Sequence, residues 1–174
     1  MNKSNLTVAL IFAATTFSAA HASDGTITFT GRIVDNTCTI SNPSGSDFAV
    51  NLPSVSRNTL SESGSVAGRT PFTINLSNCS SGNVSTYFES GSTVDFDTGR
   101  LVNQTSPESN VQLQLSNSNG EVIALHQPQE NSQKVLLQEG EESAQLHYYA
   151  EYYSTGSAKP GEFFSTLNYT IKYN

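Results

Sequence analysis

The sequence has no tryptophan, and its single methionine is at position 1. Cysteine occurs twice and histidine three times, and Lys and Arg together number 8 against 15 Asp and Glu. This scarcity of positive charge argues against nucleic acid as a partner and disfavours an anionic membrane surface. No stretch stays apolar over the roughly 20 residues that a permanent membrane helix needs. We therefore predict no direct membrane insertion.

The first 22 residues have the pattern of an export signal. Lys3 supplies a positive start, residues 6–17 are mostly apolar, and Ala20-His21-Ala22 is a small-x-small cleavage pattern. We expect residues 1–22 to be a signal peptide and the chain to be exported and then soluble. In an exported chain Cys38 and Cys79 most simply form one disulfide, and two free thiols are the less common alternative.

Residues 26–33 alternate strictly between two sets of side chains. One face carries Ile27, Phe29, Gly31 and Ile33, and the other face carries the polar side chains. This alternation predicts a half-buried β-strand. From Val34 onward the apolar residues fall on even numbers, as at Cys38. Two interpretations stay open: two segments that serve different surfaces, or one long strand with a bulge near Ile33.

Further alternation predicts many short strands separated by turns. These strands cover residues 48–52, 72–76, 84–89, 93–96, 100–103, 111–115, 121–125, 135–138, 146–152 and 163–173, with a helical turn near 57–62. We therefore predict a single all-β antiparallel sandwich over residues 34–174. The final strand, Phe163–Tyr173, is long and apolar on its odd face, which makes it a template for pairing with another chain.

No residue pattern indicates catalysis or a cofactor. Asp95, Asp97 and Gly99 match only the start of a calcium loop, and a hairpin turn is the better interpretation because the later ligands are missing. Neither a Gly-x-Ser-x-Gly motif nor a Ser/His/Asp set occurs. Among the tyrosines of residues 148–153, the period of two places Tyr148 and Tyr152 toward the core, and Tyr149 and Tyr153 on the outer face.

In this order, the motifs resemble those of the pilin subunits of chaperone–usher pili, in the type 1 group. The resemblance covers essentially all of residues 23–174. It is carried by the alternating segment with its central Gly31, by Cys38 soon after it, by the run GRTPFTINLSNC at residues 68–79, and by a C-terminal strand with Gly161 before it and Tyr173 near its end.

The resemblance implies an incomplete immunoglobulin-like antiparallel sandwich that lacks its last strand and has a free N-terminal donor arm, residues 23–33. The donor-strand residues would be Ile27, Phe29, Gly31 and Ile33, with Gly31 placed where the groove is too shallow for a side chain. The acceptor groove, which a periplasmic chaperone would occupy first, would be formed by Gly161, Phe163, Leu167, Tyr169, Ile171 and Tyr173.

The function implied by the resemblance is structural. The chain would polymerise head to tail with neighbouring pilin subunits at an outer-membrane usher, forming an adhesive extracellular fimbria, and the major shaft subunit is the first interpretation. A minor linker or tip-fibrillum subunit is the alternative. A carbohydrate-binding tip adhesin is disfavoured because such adhesins carry an extra lectin domain and no donor arm. An exported enzyme is disfavoured because the sequence shows no catalytic set of residues.

Overall fold

The computed structural model describes residues 25–31 and 38–173, and these two stretches belong to separate compact units. Within residues 38–173 the chain forms ten β-strands and two short 3-10 helices, Arg57–Leu60 and Pro107–Ser109. The first of these helices confirms the helical turn predicted near residues 57–62. In the part of the chain that is described, no helix is long and apolar enough to cross a membrane.

The first sheet is built from strands spread along the whole described chain. Numbered in chain order, they are β1 (Thr39–Ile40), β2 (Val66–Ser77), β4 (Val94–Asp95), β5 (Arg100–Val102), β6 (Val111–Asn117), β7 (Val122–Ile123) and β9 (Ala144–Ser154). Their order is β1-β2-β9-β6-β5-β4, with β7 also paired to β6, and every pairing is antiparallel.

The second sheet has three strands, which are β3 (Gly82–Phe88), β8 (Lys134–Leu137) and β10 (Tyr169–Tyr173). They are antiparallel in the order β10-β3-β8. Every second residue of a strand points to the same face. The inward-facing side chains of both sheets together form the core. Two antiparallel sheets enclosing one core confirm the predicted all-β sandwich.

Tyr148 shows how the strand period fixes the core. Its side chain in β9 is fully buried, and its ring lies 5.0 Å from the ring of Phe88 in the second sheet. Its hydroxyl lies 3.1 Å from that of Ser132, so the one polar atom of the ring has a partner. The prediction that Tyr148 faces the core is confirmed.

A bulge interrupts the pairing of β2 with β9. The register shifts between Ala67 and Thr70, and Gly68 has a φ of 70°. A Cβ on Gly68 would lie 3.0 Å from the Tyr152 ring, so both the positive φ and the close approach require glycine. Arg69, within this bulge, lies over the ring of Tyr149.

The structure corrects three strand predictions. Residues 48–52 are not a strand, the C-terminal strand begins only at Tyr169, and residues 25–31 are not a strand either, with Ile27 79% and Phe29 88% exposed. Alternation predicts which side chains pack, but a strand also needs a ladder of hydrogen bonds to a neighbour. Residues 48–52 and 163–168 have no such ladder within the described residues. Ile33, the phase change at Val34 and residues 1–22 lie outside them.

Candidate functional site

An open groove runs between residues 46–55 and residues 158–169. Its volume is about 1220 Å³. It reaches down to side chains of the hydrophobic core, among them Ile74, Phe88, Leu101, Leu113, Leu115 and Ala150. Buried side chains of the core therefore form the floor of this long groove.

The first wall of the groove is the segment 46–55. Phe48, Val50 and Leu52 are half-buried, and the residues between them are exposed. This is the burial pattern of a strand, yet no backbone hydrogen bond joins residues 47–55 to another described residue. The wall thus presents apolar side chains to the groove and an unpaired backbone.

The second wall is the segment 161–169, which is hydrogen-bonded along one side only. The carbonyls of Phe164 and Asn168 accept backbone N–H groups at 2.8 Å, from Gln104 and Glu89 respectively. The carbonyl of Thr166 accepts the Thr93 hydroxyl at 2.7 Å.

Successive residues of an extended chain direct their backbone groups to opposite sides. The odd-numbered Phe163, Ser165 and Leu167 have no backbone hydrogen bond to any described residue. Their N–H and C=O groups therefore form a free edge beside the groove, and such an edge is a template for an added strand.

Aromatic side chains line both ends of the groove. At one end the ring of Phe48 lies 6.1 Å from that of Tyr169 and 6.3 Å from that of Phe72. At the other end the Phe163 and Tyr152 rings are 5.5 Å apart. Burial raises the pKa of both tyrosines above the ordinary value, with smaller contributions from nearby carboxylates, so both phenols are neutral at physiological pH.

One polar atom of the second wall is buried without a partner among the described residues. The Ser165 hydroxyl is inaccessible to solvent and makes no hydrogen bond within the described residues. An unsatisfied buried hydroxyl costs roughly 1–3 kcal/mol. The Ser165 hydroxyl is therefore available as a donor and an acceptor, between the apolar side chains of Phe163 and Leu167.

The structure places the predicted acceptor residues in two groups. Gly161, Phe163, Leu167 and Tyr169 line the groove. Ile171 and Tyr173 lie farther along in β10, half-buried against the core, and do not line it. Of the predicted donor residues, Ile27, Phe29 and Gly31 are exposed, and Ile33 lies outside the described residues.

Sequence reasoning missed the first wall and Ser165. Alternation at residues 48–52 did signal a segment with one buried face, but nothing in it indicated that this segment borders a groove. Ser165 lies on the same odd-numbered face as Phe163 and Leu167, so the period of two in the C-terminal segment could have indicated that its side chain points inward.

A disulfide joins Cys38 to Cys79, with an S–S distance of 2.06 Å and Cα atoms 4.2 Å apart. The backbone N–H of Cys38 donates a 2.9 Å hydrogen bond to the hydroxyl of Tyr173. The predicted disulfide is therefore present, and it stands next to the end of β10.

The Asp95–Gly99 segment is a hairpin turn between β4 and β5. Asp95 Oδ1 accepts the backbone N–H groups of Asp97 and Thr98 at 2.9 and 3.1 Å, so its carboxylate serves the turn. In the described part of the chain no three His, Cys, Asp or Glu side chains are grouped as metal ligands would be.

Comparison with known proteins shows which family this chain belongs to. The model of the family described as FimA, type-1 fimbrial protein, A, matches residues 52–174. The major fimbrial subunit SMF-1 of Stenotrophomonas maltophilia is 59% identical over 163 residues, which are 90% of this chain and 96% of that protein. The chain belongs to the type-1 fimbrial protein family. It is also 43% identical to the F17 fimbrial protein of Escherichia coli over 94% of each chain.

Solved structures support the fold of this fimbrial protein. The P pilus rod subunit PapA has a TM-score of 0.62 at 21% identity, over 79% of this chain and 99% of that one. A chain from a chaperone–usher pilus structure that addresses rod uncoiling has a TM-score of 0.63 at 22% identity, over 87% of this chain and 96% of that chain. The predicted incomplete immunoglobulin-like fold is confirmed.

Membership in this family establishes the general role of the protein. It is a structural fimbrial subunit that is exported and assembled with other pilins into extracellular surface fimbriae. The function and localisation predicted from the resemblance are confirmed at this level.

Proposed function

We propose that the groove accepts the N-terminal arm of another copy of this chain, so that subunits polymerise by donor-strand exchange. The observation that carries this proposal is the free backbone edge at Phe163, Ser165 and Leu167, beside a groove that opens onto the core. An added strand would both supply the missing hydrogen-bond ladder and cover the half-buried apolar side chains of the two walls. Strand addition to a free sheet edge is a general mode of peptide recognition.

The arm has the side chains that such a groove requires. Ile27 and Phe29 are 79% and 88% exposed, so nearly all of their apolar area is still available for burial. Burying each side chain contributes about 1.5–3 kcal/mol. A segment that leaves large apolar side chains in solvent and a fold with an open apolar groove are complementary surfaces, and head-to-tail use of them gives an open polymer.

The proposal extends to the whole chain, which we divide into three parts. Residues 1–22 are a signal peptide, residues 23–33 the donor arm, and residues 34–174 the pilin domain. A periplasmic chaperone protects the groove until an outer-membrane usher exchanges it for an arm. The role is structural and not enzymatic. The similarity to a major fimbrial subunit supports a place in the shaft, and the subunit's copy number in sheared fibres tests shaft against linker.

A matched pair of substitutions tests the donor side. Phe29→Asp puts a charge on the face that enters the groove, whereas Thr28→Asp puts the same charge on the opposite face. We expect Phe29→Asp to leave the chaperone complex intact and to stop fibre formation, and Thr28→Asp to assemble. Normal fibres from Phe29→Asp in electron micrographs would contradict the donor role.

The acceptor side is tested by Leu167→Asp, with Asn168→Asp on the exposed face as its control. The sharper experiment combines the two blocked subunits. Phe29→Asp retains a groove and Leu167→Asp retains an arm, so each alone should stay unassembled, while their mixture should give heterodimers and nothing longer. Long fibres from the mixture, or no dimers from two variants that circular dichroism shows to be folded, would overturn the proposal.

A further inference from the structure

The outer face of the first sheet carries two arginines stacked on tyrosines. Arg69 reaches from β2, and Arg100 from β5, and both side chains lie over rings that belong to β9. We call Arg69, Tyr149, Glu151, Tyr153 and Arg100 the arginine face. It lies on the side of the sheet opposite the core, since Tyr149, Glu151 and Tyr153 alternate with the buried residues of β9.

Arg100 is held in place by more than its stack. Its guanidinium carbon lies 3.6 Å from the centroid of the Tyr153 ring. Its Nε donates to the side-chain oxygen of Gln114 at 3.2 Å, and the Gln114 amide donates to Glu151 at 2.9 Å. The terminal nitrogens of Arg100 make no hydrogen bond within the described residues. They are therefore oriented donors without an acceptor.

Arg69 is oriented by packing alone. Its guanidinium carbon lies 4.2 Å from the centroid of the Tyr149 ring. One terminal nitrogen lies so close to Gly120 that a Cβ on that residue would be 3.3 Å away. Arg69 has no hydrogen bond or ion pair with a described residue. All five of its N–H donors are available.

Neither arginine has a carboxylate partner among the described residues, although the chain has a net charge of −7. A planar guanidinium that is already stacked loses little freedom when it binds, and its fork of N–H groups matches a carboxylate. The chemistry that this face recognises is therefore a pair of carboxylates. In a fibre built from copies of one chain, the nearest source of carboxylates is another copy.

The chain offers such carboxylates in the turn between β8 and β9. Glu139, Glu141 and Glu142 are all exposed there. Glu141 accepts the backbone N–H of Gln138 at 2.6 Å, whereas Glu139 and Glu142 have no side-chain partner within the described residues. The turn precedes the first residue of β9, Ala144, by only a few positions.

The turn cannot reach the arginine face of its own molecule. Along β9, Tyr149 lies five residues beyond Ala144 and Tyr153 nine residues beyond it, which at about 3.4 Å per residue is roughly 17 and 30 Å. A contact between the two surfaces must therefore join different molecules.

We propose that the arginine face of one fimbrial subunit binds the carboxylates of the 139–142 turn of another subunit, as a side-to-side contact within the fibre. This inference rests on the role of the protein as a fimbrial subunit, and it adds to the groove a second surface for the same partner. The groove joins subunits end to end. The arginine face holds together subunits that are brought side by side.

Zero-length cross-linking tests the contact directly. Carbodiimide couples lysine to carboxylate only in contact, so Arg69→Lys and Arg100→Lys keep the charge and make the face reactive. In fibres grown from a mixture of light and ¹⁵N-labelled subunits, we expect cross-links from position 69 or 100 to Glu139, Glu141 or Glu142 that contain one light and one heavy peptide. Chaperone-bound subunits should show none.

A charge-removal series provides the second readout. We expect Glu139→Gln combined with Glu142→Gln to give fibres that stay joined end to end in detergent but open laterally at lower salt than wild type. Glu108→Gln combined with Glu130→Gln removes the same charge from other exposed sites and serves as the control. The series needs no change in the arginine face, so it also applies if an arginine variant fails to fold.

The proposal is overturned if fibres lack these cross-links, or if the two glutamate pairs open at the same salt concentration. Its failure is distinguishable from failure of the groove proposal. If the groove proposal is wrong, Phe29→Asp still forms fibres; if only the arginine face is wrong, Phe29→Asp forms none, and fibres of the Arg69→Lys and Arg100→Lys variants show no cross-link between these surfaces.

Discussion

The phenol hydroxyl of Tyr169 donates a 2.7 Å hydrogen bond to the backbone carbonyl of Ser46. The two residues are 123 positions apart in the chain, and they stand on opposite walls of the groove. The ring of Phe48 packs against the same tyrosine. One side chain thus sets the distance between the walls at this end of the groove.

Replacing Tyr169 with Phe keeps the ring and removes the bond between the walls. We expect a loss of about 1 kcal/mol in the free energy of unfolding, the usual net value of one hydrogen bond. Urea unfolding of the purified subunit, followed by circular dichroism, measures it. Unchanged stability at neutral pH would show that the bond does not hold the walls.

The same residue predicts an alkaline loss of stability. Burial raises the pKa of Tyr169, and the charge of Asp47 raises it further. The folded state therefore keeps the phenolic proton after the unfolded state, whose pKa is about 10, has lost it. Stability is complete below that pH and falls as the pH rises through the folded pKa. Tyr169→Phe should lack this part of the fall.

Gly68 and Gly140 form a matched pair for the bulge in β2. Both have positive φ, 70° and 90°, but a Cβ on Gly68 would lie 3.0 Å from Tyr152, whereas Gly140 has no atom within 4 Å. Gly140→Ala should cost about 1–2 kcal/mol for the backbone alone. Gly68→Ala should cost roughly 1–3 kcal/mol more because of the crowding. Equal losses in urea unfolding would contradict the steric account.

The Cys38–Cys79 disulfide closes a loop across a sequence separation of 41. Cys38→Ser combined with Cys79→Ser should lower the free energy of unfolding by about 4 kcal/mol, because the unfolded chain regains the freedom of that loop. Reductant should weaken the wild-type protein to a similar extent and leave the double variant unchanged. If thiol counting shows full reduction and stability does not fall, the bond is not a major contributor.

Asp95 predicts an acid-dependent contribution. Burial by itself raises the pKa of its carboxyl, but hydrogen bonds from the backbone of Asp97 and Thr98 and from Gln112 outweigh burial and lower the pKa below its ordinary value. The contribution is therefore present above the unfolded pKa of about 3.9 and is lost as the pH falls through the folded pKa.

Asp95→Asn removes this charge, and its amide oxygen can still accept the N–H groups of the turn. Its amide nitrogen cannot accept from Gln112, so part of the loss does not depend on pH. We expect it to be less stable than wild type at pH 7, and the difference to shrink as the pH falls below about 4. Urea unfolding between pH 2 and 7 measures the difference. If the difference in free energy of unfolding between wild type and Asp95→Asn does not change with pH, the charge of Asp95 does not contribute to stability.

Much of the fold was predictable because the strand signal is local. The period of two alone placed Tyr148 inside, and the turn residues located the hairpin of β4 and β5. The pair Cys38 and Cys79 indicated a disulfide once export was inferred. Each of these conclusions needs only neighbouring residues or composition.

The groove was only partly predictable, because it depends on contacts between segments that are distant in the sequence. Phe48, Val50 and Leu52 alternate as a strand does, and so do Phe163 and Leu167, so the sequence by itself determined which side chains face inward. Whether a backbone has a neighbour to bond with depends on segments more than a hundred residues away. Only the tertiary structure decided that both of these segments border one groove, and that Arg69 and Arg100 both stack on tyrosines of β9, because strand pairing is set by the packing of the whole chain.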